Sequence, residues 1–155
     1  MFRTYRGGDL PNDPAVREFF APGKVYRTRE YVSSSGSVSM AMVYMRNAAS
    51  VDGLEPTLWT FEFGLERVVE DRSRTLGNVK CLHVNHIDES MTDLTVENED
   101  EYLLPPYSVL EVRKVTISAD PSKLKPHKIT LAVRNNNKMR RPGVPWSDLP
   151  LAPWS

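Results

Sequence analysis

Glu97-Asn98-Glu99-Asp100-Glu101-Tyr102-Leu103-Leu104-Pro105-Pro106 crowds four carboxylates directly before a short apolar run. Tyr102-Leu103-Leu104 reads as a strand, and the two prolines stop it. The preceding stretch, Asp88 to Glu97, is acidic and weakly patterned, so it reads as a loop. In an extended chain, alternate residues share a side, which sets Glu97, Glu99 and Glu101 together. Glu101 adjoins the strand and is the best held; Glu99 lies one step out, towards the loop. Charge of one sign beside a buried strand is unfavourable unless a cation binds there. A solvated acidic loop explains the same residues, and the run alone does not choose between the two.

Two upstream stretches bear on the choice. In Tyr31-Val32-Ser33-Ser34-Ser35, strand alternation puts Ser33 and Ser35 on one face and Ser34 on the other. In Tyr5-Arg6-Gly7-Gly8, an arginine at a strand end followed by glycines lets a guanidinium and bare backbone approach an anion together. Taken singly, the first is equally a polar strand end and the second a surface arginine beside a turn.

The remaining chain reads as short alternating elements. Phe2 to Arg6 is a strand that turns at Gly7-Gly8. Asn12-Asp13-Pro14 caps a short helix over Ala15 to Phe20, closed by Pro22-Gly23. Val25 to Ser34 is a second strand. Met40, Val43 and Tyr44 recur at helical spacing behind Ser37 or Ser39 as the cap, and that helix ends near Asn47-Ala48. Thr57 to Phe63 is the clearest strand; Leu65, Val68 and Val69 suggest a turn or two of helix before Gly77. Val79 to Ile87, Val109 to Ile117 and Ile129 to Val133 complete the sheet. The expectation is an α+β fold with mainly antiparallel strands and a few short helices. Residues 1–134 are expected to form one core. Residues 135–155, rich in proline, are expected to be an irregular tail pinned to it by Trp146 and Trp154.

Composition narrows the function. The 155 residues suffice for one compact domain. Lys plus Arg and Asp plus Glu balance at 20 each, which speaks against a protein that covers nucleic-acid phosphates with positive charge. The cluster from Lys138 to Arg141 is small enough to be solvated tail. With Cys81 alone and histidines only at His83, His86 and His127, no disulfide and no metal site is expected. No apolar run reaches membrane-spanning length, and no secretory signal opens the chain.

The three stretches in this order, TYRGG, YVSSS and EDEYLLPP, resemble the mono-ADP-ribosyltransferases, a family of bacterial toxins and vertebrate arginine-specific ecto-enzymes. Their pattern is an arginine on a strand, then an aromatic, a hydrophobic residue and Ser-Thr-Ser. Glu-x-Glu or Gln-x-Glu follows, one residue before an apolar pair and proline. The resemblance runs from about Tyr5 to Val112, most of the chain, and the last motif is fairly specific. It implies a split β-sandwich that uses NAD as substrate, cleaves the nicotinamide–ribose bond and transfers ADP-ribose to an acceptor protein.

Position by position, Arg6 matches the arginine that grips the NAD phosphates and ribose, with Gly7 beside it. Ser33 matches the serine that orients the catalytic glutamate, and Ser35 the triplet's supporting serine. Glu101 matches the catalytic glutamate. Glu99 matches the residue that engages the acceptor; a glutamate there goes with arginine. Tyr44 is a candidate for the aromatic that stacks on nicotinamide, although its spacing from Met40 also suits core packing. Ser34 stands where the family usually has Thr, a change that keeps the hydroxyl. The expected helix between Phe63 and Gly77 looks like an insertion.

Relatives usually carry a helical lobe before the arginine strand, and here the arginine is already at position 6. Two readings therefore stand. One is an active NAD–protein-arginine ADP-ribosyltransferase with some NAD glycohydrolase activity. The other is a non-catalytic or partner-completed module that binds NAD or ADP-ribose. The lone cysteine leans towards a reducing compartment, so a soluble protein acting in the cytoplasm is expected. Whether it is an exported effector or a regulator of its own cell is left open.

Overall fold

A computed structural model describes residues 1–64, 75–76, 79–80, 82–83 and 100–134. Its strands are β1 (Phe2–Pro11), β2 (Val25–Arg27), β3 (Val32–Ser35), β4 (Leu54–Phe63), β5 (Thr75–Leu76), β6 (Val79–Lys80), β7 (Leu82–His83), β8 (Glu101–Leu104), β9 (Val109–Thr116) and β10 (His127–Arg134). Two short helices, α1 (Pro14–Glu18) and α2 (Val38–Val43), complete the described elements. Eight strands form one sheet in the order β2-β9-β10-β4-β1-β3-β8-β7, and β5 pairs with β6 separately. Every pair in the large sheet is antiparallel except β10 with β4. The expected α+β class with mainly antiparallel strands is what the chain adopts.

Local chemistry accounts for the helices. Asp13 accepts a hydrogen bond from the Ala15 N–H at 2.8 Å, with proline at the first helical position. Ser37 caps α2 by accepting from the Met40 N–H at 3.4 Å.

Burial along β4 alternates from Thr57 to Phe63, so one face of the sheet takes Trp59, Phe61 and Phe63 into the core. Phe20 and Tyr26 pack against that face, and the Phe20 ring meets Trp59 edge-on at 5.2 Å.

Three expectations are corrected. Gly7-Gly8 is no turn: β1 continues to Pro11 and pairs with β4 along its whole length, from Phe2↔Phe63 to Pro11↔Leu54. The stretch from Val25 to Ser34 is not one strand. Tyr107 N–H donates to the Thr28 carbonyl and Thr28 N–H to the Ser108 carbonyl, which holds the chain there. Consequently β2 pairs with β9 and β3 with β8, on opposite sides of the sheet. Helix α2 ends at Val43, short of Asn47. The expected helix after Phe63, the Asp88 to Glu97 loop and the tail from 135 lie outside the described residues, and of the Val79 to Ile87 strand only β6 and β7 are described.

The sheet has a seam that decides where a site can form. Among the described residues, β1 and β3 share a single registered pair, Tyr5↔Ser35. Side chains stitch the seam on the core face. Ser34 Oγ donates to Thr4 Oγ1 at 2.7 Å, and the Phe2 ring meets Tyr102 at 5.2 Å.

Candidate active site

A cleft of about 340 Å³ opens at this seam, lined by Tyr5, Arg6, Gly7, Ser33, Ser34, Ser35, Ala41, Tyr44 and Glu101. Strand geometry delivers each of them. Register Ser35↔Glu101 and Ser33↔Leu103 places Ser33, Ser35, Glu101 and Leu103 on one side of the β3–β8 pair. Ser34 faces the other way and is buried against Thr4, as alternation requires.

The polar contacts converge on Ser33. Its Oγ donates to Glu101 Oε1 at 2.5 Å, and its carbonyl accepts from Arg6 Nη1 at 2.9 Å. A hydroxyl–carboxylate bond of that length is charge-assisted and fixes the carboxylate's direction. Arg6 is exposed and lines the cleft, and a guanidinium there suits an anion. Ser35 is buried; its Oγ accepts from the Ser37 N–H at 3.0 Å and so ties the end of β3 to the start of α2.

Gly7 has a structural reason to be glycine. A Cβ there would lie 2.0 Å from the Ala41 carbonyl oxygen, so the absent side chain is what lets α2 rest on β1. Tyr44 caps the C-terminus of α2 and is 61% exposed beside the cleft, which excludes the core packing its helical spacing suggested. Arg6, Gly7, Ser33, Ser35, Tyr44 and Glu101 are thus brought together. Glu99 lies outside the described residues.

Two features escaped the sequence reading. Thr4 holds the seam through Ser34, and nothing in Phe2 to Arg6 marks it for that role. Glu55 sits beside fully buried His127 and accepts from Arg17 Nη2 at 2.7 Å. His127 Nδ1 accepts the Ser118 N–H at 3.0 Å, which leaves Nε2 to donate to Glu55 Oε2 at 2.6 Å. Burial pushes the Glu55 carboxyl up, but the hydrogen bonds from His127 and Arg17 outweigh it and hold the group below its ordinary 4.5. These partners are 72 and 38 residues apart in the chain, so no local pattern could announce them.

The fold so described is that of ADP-ribosyltransferases. No family model and no curated protein sequence matches the chain. Solved structures do. The Vis toxin of Vibrio splendidus, an ADP-ribosyltransferase, matches at TM-score 0.54 and 12% identity over 90% of this chain and 51% of its own. Vis in complex with agmatine matches at 0.55 and 13%, over 90% and 52%. Plx2a, an ADP-ribosyltransferase toxin from Paenibacillus larvae, matches at 0.52 and 15%, over 86% and 61%. HopU1 of Pseudomonas syringae, another ADP-ribosyltransferase, matches at 0.51 and 12%, over 85% and 44%. The chain thus spans about half the length of the structures it resembles. Among the described residues no helix is long and apolar enough to cross a membrane.

Proposed function

We propose that the chain is an NAD-dependent protein mono-ADP-ribosyltransferase that modifies arginine. The supporting observation is the Ser33–Glu101 hydrogen bond beside Arg6 in one cleft, on a fold shared with ADP-ribosyltransferases. In this reading Arg6 pairs with the NAD phosphates, Gly7 and Ser35 form the wall beside them, and Tyr44 stacks on nicotinamide. The C–N bond between nicotinamide and ribose breaks, and its electron pair leaves with nicotinamide. The ribose gains oxocarbenium character, which the Glu101 carboxylate stabilises at close range. Ser33 keeps that carboxylate aimed.

A guanidinium nitrogen of the acceptor protein then forms the new bond to the ribose. An arginine side chain is too basic to attack unaided, so it must lose a proton as it does so. Glu99, two residues before Glu101, takes that proton. The likeness to a structure holding agmatine, itself a guanidinium compound, supports an arginine acceptor. Water in place of the acceptor gives free ADP-ribose.

The test is incubation with labelled NAD and arginine-rich proteins, beside Glu101→Gln and Glu99→Gln. Label should appear on protein and vanish with Glu101→Gln; Glu99→Gln should lose transfer and keep some NAD hydrolysis. Absence of nicotinamide release from the intact chain refutes the enzyme reading. A second reading is a non-catalytic module of the same fold; it predicts NAD or ADP-ribose binding without release of nicotinamide.

A further inference from the structure

The strand registers run one line of side chains across the sheet. Glu101 is opposite Ser35, Ser35 opposite Tyr5, Tyr5 opposite Thr60, Thr60 opposite Thr130 and Thr130 opposite Lys114. Directly opposed residues project from the same face, so Lys114 shares a face with the candidate site. A second line, two residues along each strand, does the same for Lys128, which is opposite Leu58, itself opposite Gly7. The loop between β9 and β10 reaches the same region. Ala48 and Ser122 pair, and the Lys123 N–H donates to the Asn47 carbonyl at 2.9 Å. Lys123 and Leu124 thus stand beside the segment that leaves Tyr44, and Leu124 is 89% exposed.

Charge on this face is one-sided. Beyond the cleft its strand carboxylates are each paired: Asp9 with Arg46, Glu62 with Arg3 and Glu111 with Arg134. Among the described residues, Lys114, Lys123, Lys125 and Lys128 form no ion pair. Lys114, Lys125 and Lys128 are exposed. From Arg113 to Lys128 five basic residues, His127 aside, stand against Asp120 alone, in a chain whose charges balance overall. We propose that this face docks the acceptor protein and selects one whose arginine is accompanied by a cluster of acidic side chains. The lysines attract carboxylates, and Leu124 supplies an apolar contact among them. Strands lie about 4.8 Å apart, which puts Lys128 and Lys114 roughly 20–25 Å from Glu101 across the sheet. In an extended acceptor segment the acidic cluster then falls about six residues from the arginine. A nucleic acid would call for positive charge over more of the surface than a neutral chain supplies.

That the partner is an arginine acceptor rests on the proposed function, whereas docking is measured apart from transfer. Two labelled peptides are compared, each with a single arginine and, centred about six residues away, a run of glutamates or of serines. Fluorescence anisotropy at low and at physiological salt reads binding. Label from NAD reads transfer, expressed as its ratio to ADP-ribose released into water. The intact chain should bind the acidic peptide about tenfold more tightly than the serine peptide, by a margin that shrinks as salt rises. Lys114→Glu with Lys128→Glu, and separately Lys123→Glu with Lys125→Glu, should each weaken binding of the acidic peptide by about tenfold and lower the transfer ratio with it. The matching Lys→Gln pairs should fall between, and they decide the matter if a charge-reversed chain does not fold.

Equal binding of the two peptides overturns the docking surface, as do altered chains that bind the acidic peptide like the intact one. Tighter binding of a single-stranded RNA, or of vesicles containing anionic phospholipid, than of the acidic peptide overturns it too. If the acidic peptide is preferred but no nicotinamide is released, the enzyme reading fails and the docking surface stands. If nicotinamide is released and the peptides are bound alike, the docking surface fails and the enzyme reading stands.

Discussion

Gly7 and Gly8 are neighbours on one strand, face opposite sides of the sheet, and should respond to alanine with opposite signs. A Cβ on Gly7 would lie 2.0 Å from the Ala41 carbonyl oxygen, 3.0 Å from its carbon and 3.2 Å from the Met45 nitrogen. All three are backbone atoms, so no side chain can swing away. Relief requires α2 to lift by more than about 1 Å, which loosens Ala41 and Met45, both now buried. Overpacking of this kind costs about 1–3 kcal/mol. Replacing a strand glycine returns about 0.5–1 kcal/mol of backbone entropy. The net loss for Gly7→Ala is then about 1–2 kcal/mol, or a Tm lower by about 2–8 °C for a chain of this size. A Cβ on Gly8 would stand 3.4 Å from the Trp59 indole nitrogen, near ordinary contact. Only the entropy gain remains, so Gly8→Ala should hold Tm or raise it by about 1–4 °C. Differential scanning calorimetry of the three chains reads both signs at once. A Gly7→Ala chain as stable as the Gly8→Ala chain would refute the close packing of α2 on β1.

Removing the Ser33 hydroxyl leaves the Glu101 carboxylate without its orienting donor. A hydrogen bond to a charged group contributes about 1.5–3 kcal/mol, so Ser33→Ala should lower the kcat of nicotinamide release by about 10- to 150-fold while the chain stays folded by circular dichroism. Arg6→Lys keeps the charge but replaces a planar fork with a point donor; KM for NAD should rise by about tenfold in steady-state kinetics. Glu55 contributes to the pH dependence of stability. Its folded carboxyl is held below 4.5, so its contribution is complete above that value and is lost as pH falls through the lower folded one. Thermal unfolding followed from about pH 7 to about pH 3 should show a steeper acid loss for the unaltered chain than for Glu55→Gln, and parallel curves would contradict this.

The residues that meet in the cleft were more legible than the path of the chain that brings them there. Arg6, Ser33, Ser35 and Glu101 stand in three short motifs that mean little singly and point to a site only in their order, and strand alternation alone sorted Ser33 and Ser35 from Ser34. The fold class followed from the many short alternating runs. What stayed hidden depends on contacts distant in sequence. Val25 to Ser34 has β propensity at both ends, from Val25, Tyr26, Tyr31 and Val32, and the hydrogen bonds of Thr28 to Tyr107 and Ser108 reveal that it serves two places in the sheet. Gly7-Gly8 looks like a turn because glycine permits one; here Gly7 admits the close approach of α2 instead. Tyr44 keeps the period of a buried face, yet α2 ends before it and leaves the ring exposed. Glu55 and His127 meet only because β4 and β10 pair in parallel, with His127 opposite Thr57.

That parallel pair has a consequence for how the chain is made. Strand β4 can take up β1 as soon as residue 63 has been synthesised, but its other edge faces β10, which ends at Arg134. Until then, a strand bearing Trp59, Phe61 and Phe63 presents unpaired N–H and C=O groups to whatever is near. The centre of the sheet is thus among the last parts to close during translation. A truncation before residue 127 would leave that edge open permanently, in the form most prone to pair with a second copy.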